Sequence, residues 1–238
     1  MRSSTPQHPG SGIQHPQKEV CGIVPCFNEA ASIARVVQAV RKHLDVCIVI
    51  DDCSSDATAR IAAEAGARVL RHERNLGKGM ALKNGFALAS VSGFSAAVTL
   101  DGDGQHDPQE IPRFLAAFEA GGIDIVLGDR MGDSAGMPWV RRAANRSMSW
   151  FVSRLAGVAI RDSQVGFRLI RLDTWHALRL EGRRFDLESE VLIKACRQGA
   201  RVTQVPIRTI YFGTSKSKIH PLVDAFRFFR LLWQCRKA

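Results

Sequence analysis

Several common features are missing from this 238-residue chain. No stretch reaches the roughly 18 uninterrupted apolar residues of a membrane span. The nearest are residues 148–160, too few, and 222–233, broken by Asp224, Arg227 and Arg230. Residues 1–18 are rich in Ser, Pro, Gln and His and lack the apolar core of a signal peptide, so they read as a disordered tail. The six cysteines form no CxxC pair. Cys21, Cys26, Cys47 and Cys53 lie in or beside apolar runs, where a thiol acts as a small hydrophobe, so free thiols and a reducing cytosol are expected. No GxxxxGK[ST] loop is present and no GxGxxG follows the first apolar run, which removes the main support for a P-loop or a dinucleotide-binding site. No RRM, KH or zinc pattern appears, and there are no repeats.

What is present suits a soluble globular domain: 45% hydrophobic and 24% charged residues, in a chain long enough to bury a full core. The formal net charge is +10. That balance favours an anionic partner: a phosphorylated substrate, the anionic face of a membrane, or nucleic acid. A basic nucleic-acid-binding protein is the remote alternative, and the missing motifs count against it.

Short apolar runs alternate with helix-period segments. Residues 20–24, 46–50, 67–70, 96–100 and 123–127 read as buried strands. Between them, residues 29–43, 54–66, 79–90 and 108–120 read as helices. Ser54 or Ser55 supplies an N-cap, Gly66 a C-cap, and Pro108 a first turn. This predicts an α/β fold with a doubly wound, mostly parallel sheet flanked by helices. The second half is less regular. A helix or helix pair is expected over 139–160, strands over 165–170 and 201–207, and a helix over 187–197. A basic amphipathic helix over 221–235 closes the pattern. The domain limits are then 1–18 for the tail, 19–220 for the catalytic-type domain, and 221–238 for the terminal helix.

In doubly wound sheets, ligands bind outside the carboxyl ends of the strands. Asp101-Gly102-Asp103-Gly104-Gln105 follows one such run. Two carboxylates there suit Mg²⁺ or Mn²⁺, and the glycines permit the turn that lets both reach one ion. A solvated acidic loop is the competing reading. An EF-hand is excluded, because its sixth position needs Gly and His106 stands there. Asp51-Asp52 ends another run, either to accept from a ribose or base or to place charge at a helix N-terminus. Asn75 to Gly79 is either a simple turn before a helix or a place where Lys78 meets phosphate.

Taken together, five segments resemble the family 2 glycosyltransferases of the GT-A fold: Ile23-Val24-Pro25-Cys26-Phe27-Asn28-Glu29, then Val49 to Thr58, then Asn75 to Gly79, then Asp101 to Pro108, then Gly166-Phe167-Arg168. They are most similar to the polyprenyl-phosphate (dolichyl-phosphate) mannosyl or glucosyl synthases. The resemblance covers about residues 20–220, without the transmembrane C-terminal region many bacterial relatives carry.

That resemblance implies an inverting, metal-dependent transfer from a UDP- or GDP-sugar to a lipid-linked acceptor such as polyprenyl phosphate. It implies a donor site built on Pro25, Phe27, Glu29, Ile50, Asp52, Lys78, Asp101 and Arg130. The family usually has Tyr where Phe27 stands. Asp101, Asp103 and Gln105 would hold Mg²⁺ or Mn²⁺. Arg168 and Lys218 would handle phosphates of donor or acceptor. Asp103, Arg168 and Glu188 are the candidate catalytic residues. If the acceptor is instead a hydroxyl of a lipid or small molecule, Glu188 or Asp186 is the candidate base, with Glu190 as a further possibility. These acids equally suit a helix N-terminus. An arginine the synthases often carry after the Val205-Pro206-Ile207 run is replaced by Tyr211-Phe212. The basic cluster of Lys216, Lys218, His220, Arg227 and Arg230 favours an anionic acceptor. The terminal helix would make a peripheral contact with the inner, cytoplasmic face of a membrane, or else pack on the domain.

Overall fold

The alternation of apolar residues along each strand decides which helices cover which face of the sheet. In the computed structural model, which describes residues 18–132, 139–182, 186–208 and 210, seven strands form one sheet. They are β1 (Lys18–Cys26), β2 (Cys47–Asp51), β3 (Arg68–Arg71), β4 (Phe94–Thr99), β5 (Ile125–Asp129), β6 (Arg168–Arg171) and β7 (Val202–Pro206), in the order β3-β2-β1-β4-β6-β5-β7. Ile23, Ile48, Ile50, Ala97, Ile125, Leu127 and Ile170 point to one face. Val24, Val49, Ala96, Val98, Val126 and Leu169 point to the other. Both sets are buried, as the period-2 geometry of a sheet covered on two sides requires.

Among the described residues seven α-helices cover those faces: α1 (Ile33–Val40), α2 (Thr58–Glu64), α3 (Lys78–Val91), α4 (Ile111–Glu119), α5 (Trp139–Ala156), α6 (Leu172–Ala177) and α7 (Asp186–Arg197). The side chains of α1, α2 and α4 join one core cluster. Those of α3, α5, α6 and α7 join the other. On α1, Ile33, Val36, Val37 and Val40 recur every three or four residues and are all buried. Each such side chain contributes about 1.5–3 kcal/mol of burial. Phe86 of α3 stacks on Trp175 of α6 with ring centroids 3.7 Å apart.

One local expectation is corrected, and one helix was not expected. The helix expected from Ser54 begins at Thr58, with Ala57 at the cap position. Ser54 does not cap it, because its hydroxyl donates to Asp51 and accepts from the Asn28 N–H. A short helix after β6, α6, carries no apolar period long enough to be read from sequence.

The sheet is parallel except at β6, which runs antiparallel to both β4 and β5. This reversal has a consequence for the site. The amino end of β6 pairs with the carboxyl end of β4, with Arg168 opposite Thr99. The segment entering β6 is therefore delivered to the edge where β4 ends in Asp101. Pro25 falls near the end of the central strand β1. The pairing of β1 with β4 has already ended at Ile23 and Thr99, so its missing N–H interrupts no ladder on that side. Among the described residues, no helix is long and apolar enough to cross a membrane. The terminal helix expected over 221–235, residues 1–17 of the expected tail and Lys218 lie outside the described residues, while Lys18, expected to end the tail, begins β1.

Candidate active site

Two loops at the carboxyl edge are tied together before any ligand is considered. After β1, Asn28 adopts a left-handed φ of 55°, a conformation Asn tolerates better than most residues. Its side-chain oxygen accepts from the Ser55 N–H at 2.8 Å, and its own N–H donates to Ser54 Oγ at 2.8 Å. The Glu29 N–H donates to Thr58 Oγ1 at 2.8 Å. The loop of residues 27–30, with Phe27 and Glu29 both partly exposed, thus rests on the segment after β2. Pro25 and Ile50 lie side by side beneath it in the sheet, and Ile50 is fully buried.

Asp51 and Asp52 both turn toward the protein. Asp51 accepts from the Ser54 N–H and pairs with Arg71 Nε at 3.2 Å. Asp52 accepts from the backbone N–H groups of Leu76 and Gly77, each at 2.8 Å. His72 Nδ1 lies 2.7 Å from the same carboxylate, and His72 Nε2 lies 2.9 Å from Asn84 Nδ2. Asp52 is 4% exposed. Its geometry makes it a clamp on the turn that carries Lys78, rather than an acid open to a ribose or base.

Lys78 begins α3 and reaches the acid pair. Its Nζ lies 2.6 Å from Asp101 Oδ1 and 3.2 Å from Glu188 Oε1. Burial disfavours its charge, but Asp101 and Glu188 outweigh that and hold the ammonium well above the usual lysine range. The counterpart holds for Asp101. Burial opposes its charge, yet Lys78 and then His106 keep it far below the usual carboxylate range. His106 Nε2 stands 3.3 Å from Asp101 Oδ2, and its ring packs against Phe167. Gly166 makes this possible. A Cβ there would sit 2.7 Å from Asp101 Oδ2, too close for any real contact.

Asp103 lies one turn on and is partly exposed. Its Oδ1 accepts from the Gln105 N–H at 2.9 Å, and it has no ion-pair partner among the described residues. Gly104 takes a φ of 75° to make the turn. Gly102 lets the loop approach β1: an added Cβ would meet Cys26 Cβ at 2.9 Å, and Ser32 Oγ donates to the Gly102 carbonyl at 2.7 Å. Among the described residues no group of three or more His, Cys, Asp or Glu side chains forms a metal cage. The oxygen donors of Asp101, Asp103 and Gln105 nonetheless fit a hard cation completed by substrate phosphates, which is how Mg²⁺ is usually held.

The arginines are placed differently from what their motifs suggested. Arg168 is 2% exposed, and its guanidinium donates to the carbonyls of Val165 and Ser163 at 2.8 Å and of Glu188 at 2.5 Å. Burial lowers its pKa, and nearby acids offset part of that. Its donors fasten the 163–168 segment to the start of α7, so a direct contact with phosphate does not match this geometry. Arg130, at the end of β5, forms a buried two-bond pair with Asp162 at 2.6 and 2.9 Å. Of the acids at the start of α7, Glu188 faces Lys78. Glu190 is turned away, accepting from the Glu181 and Gly182 N–H groups and from Lys194. Asp186 opens the helix and is partly buried.

A chain of this architecture, with paired acids at the β4 edge, matches the model described as glycosyl transferase family 2 over residues 21–175. The chain belongs to glycosyltransferase family 2. This glycosyltransferase is 30% identical over 234 residues to the UDP-N-acetylglucosamine–dolichyl-phosphate N-acetylglucosaminyltransferase of Methanococcus voltae, covering 88% of this chain and 93% of that one. It is 28% identical over 214 residues to the undecaprenyl-phosphate mannosyltransferase of Micrococcus luteus, covering 84% of this chain and 87% of that one. Its fold is that of glucosyl-3-phosphoglycerate synthase from Mycobacterium tuberculosis, solved with Mn²⁺, UDP and phosphoglyceric acid. There the TM-score is 0.69 and the identity 22%, over 92% of this chain and 78% of that one.

Sequence reasoning on this glycosyltransferase missed His72, Asp162 and Ser163. Their contacts form only when separate loops meet, so nothing in their spacing announces them. His106 was visible only as the residue that excludes an EF-hand. Asn28 stood inside a motif but gave no sign that it stitches two loops.

Proposed function

We propose that the enzyme transfers a sugar, with inversion, from a nucleoside-diphosphate sugar to a lipid-linked phosphate such as polyprenyl phosphate. The observation that carries this reading is the cluster of Asp101, Lys78 and Glu188 beneath the Asp103 turn, at the carboxyl edge of the sheet. Relatives named as a dolichyl-phosphate N-acetylglucosaminyltransferase and an undecaprenyl-phosphate mannosyltransferase support the acceptor class.

Breaking the bond between sugar and diphosphate leaves negative charge on the departing phosphate. Asp101, Asp103 and Gln105 are the residues that would hold Mg²⁺ or Mn²⁺ there. When bound, such an ion acts as a Lewis acid on the leaving group. Lys78 adds a fixed positive charge at the same place, and Asp52 fixes its position through the 76–77 backbone. Phe27 and Glu29, partly exposed above the buried Pro25 and Ile50, would line the donor side. Glu188 Oε1 is already engaged by the Lys78 ammonium, the wrong neighbour for an atom that must receive a proton. Glu190 is held by backbone donors. Asp186 is then the remaining candidate base, and the engagement of Glu188 and Glu190 supports an acceptor that is already an anion and needs no base, over a hydroxyl that does.

The test is transfer of radiolabel from UDP- and GDP-sugars into polyprenyl phosphate, read in the organic phase with Mn²⁺ present. Asp103→Ala is expected to abolish transfer while leaving the circular dichroism spectrum unchanged. Retained transfer in that variant, or full activity in excess EDTA, sinks the metal-dependent reading. Label appearing only in hydroxyl acceptors sinks the phosphate acceptor.

A further inference from the structure

Among the described residues, nothing covers one face of helix α5, a face that the chemistry above does not use. Trp139 is 80% exposed, Trp150 61% and Val140 59%. At 100° per residue, Trp139, Arg146, Trp150 and Arg154 fall on one solvent-facing stripe, with Arg142 at its margin. The opposite side holds Asn145, Ser149, Val152 and Ala156, all buried. The helix contains no acidic residue. Arg142, Arg146 and Arg154 are exposed, and none has an ion-pair partner among the described residues. Beside the stripe runs a groove of about 550 Å³ whose wall includes Arg142, Arg146, Trp150, Ile160 and Arg161.

Exposed apolar side chains gathered on one face and rimmed by polar residues mark an interaction surface. Two indoles about 16 Å apart along one stripe, with arginines between, match a lipid surface. Indoles settle at the level of the head groups, and guanidinium groups meet lipid phosphates. Charge complementarity selects an anionic surface, because no acid on α5 offsets the arginines.

We propose that the α5 face docks the enzyme on an anionic lipid bilayer. This places the membrane contact on the catalytic domain itself. The groove is continuous with the carboxyl edge through Met131, which follows Arg130 at the end of β5. A docked bilayer would thus lie beside the edge where the acceptor enters. In that respect the inference rests on the lipid-acceptor reading.

The experiment is co-sedimentation of the full-length enzyme with vesicles of phosphatidylcholine alone or with three parts in ten phosphatidylglycerol (about 30%). Wild type is expected to bind the mixed vesicles and to release them in high salt. Arg146→Gln with Arg154→Gln should weaken that binding by roughly thirtyfold. Trp139→Ser with Trp150→Ser should weaken it comparably and abolish the blue shift of tryptophan emission. Both pairs are exposed, so folding should survive, and circular dichroism checks this. Several results overturn the proposal: equal binding to neutral and mixed vesicles, binding unchanged in both variants, or an oligomer that the tryptophan variant dissociates without any vesicle binding. The acceptor reading is tested apart, because transfer to polyprenyl phosphate in detergent does not require docking. Activity there with vesicle binding unaffected by the variants overturns the docking face alone. No transfer to any lipid phosphate overturns the acceptor class alone.

Discussion

Gly166→Ala probes the site without removing any polar group. The new methyl carbon would lie 2.7 Å from Asp101 Oδ2 and 2.9 Å from Oδ1, against an ordinary contact of 3.4 Å or more. The carboxylate must therefore move by something near 0.7 Å, the difference between the two distances. It cannot move alone, because Lys78 holds Oδ1 at 2.6 Å and His106 faces Oδ2 at 3.3 Å. Overpacking of this kind costs about 1–3 kcal/mol of stability. For a chain of this size that lowers Tm by roughly 3–10 °C. Misplacement of a catalytic group by about 1 Å costs on the order of 100-fold in rate. Differential scanning fluorimetry and radiolabel transfer, run side by side, measure both effects. Gly132→Ala is the control, since a Cβ there meets nothing within 4 Å. It should change stability by no more than about 0.5 kcal/mol. Wild-type transfer by a folded Gly166→Ala enzyme would show that the position of Asp101 does not matter, and the account of the site would fail.

Further outcomes follow from the buried charges. Lys78→Met leaves Asp101 and Glu188 facing each other without a cation. It is expected to cost about 2–3 kcal/mol at pH 7.5, a figure kept low because the Asp101 side chain is 29% exposed. The sign with pH is set by Asp101. In the parent its pKa is depressed, so its contribution is complete above about pH 4 and is lost as pH falls below that. In Lys78→Met the largest part of the depression is gone and only that from His106 remains, so the deficit relative to the parent should hold from pH 7.5 down to about 4 and shrink as the pH falls below that. Urea unfolding in EDTA at several pH values checks this, and a deficit that does not vary with pH refutes it. Arg130→Met strands Asp162 in the interior, and a loss of about 3–5 kcal/mol is expected in the same assay. Asp162→Asn combined with Arg130→Met should recover part of it.

Much of the carboxyl edge of the sheet was legible in the chain. Pro25 to Glu29, Asp51-Asp52, Asn75 to Gly79 and Asp101 to Gln105 each follow an apolar run. A parallel sheet necessarily gathers such segments at one edge. What their spacing could not show is which partner each side chain takes there. Lys78 was read as a candidate for phosphate and is found between two carboxylates, one of them 110 residues away in sequence. Arg168 was read as a phosphate ligand and is found buried against three carbonyls. Hydrogen bonds between distant loops depend on where the strands place them, and no local pattern records that.

By itself, then, the sequence determined the alternation of strands and helices, the doubly wound class and the acid pair at the end of β4. Period-2 and period-3.6 apolar spacing and glycine turns are local properties, readable residue by residue. Only the tertiary structure decided the reversal of β6. That reversal sets Gly166 against Asp101 and leads the chain on to α7, whose Glu188 meets Lys78. It also decided that α5 buries Val152 and Ala156 and leaves Trp139 and Trp150 outside. Burial is a property of the packed whole: the same tryptophans on the same helix would be core if the neighbouring elements lay on their other side.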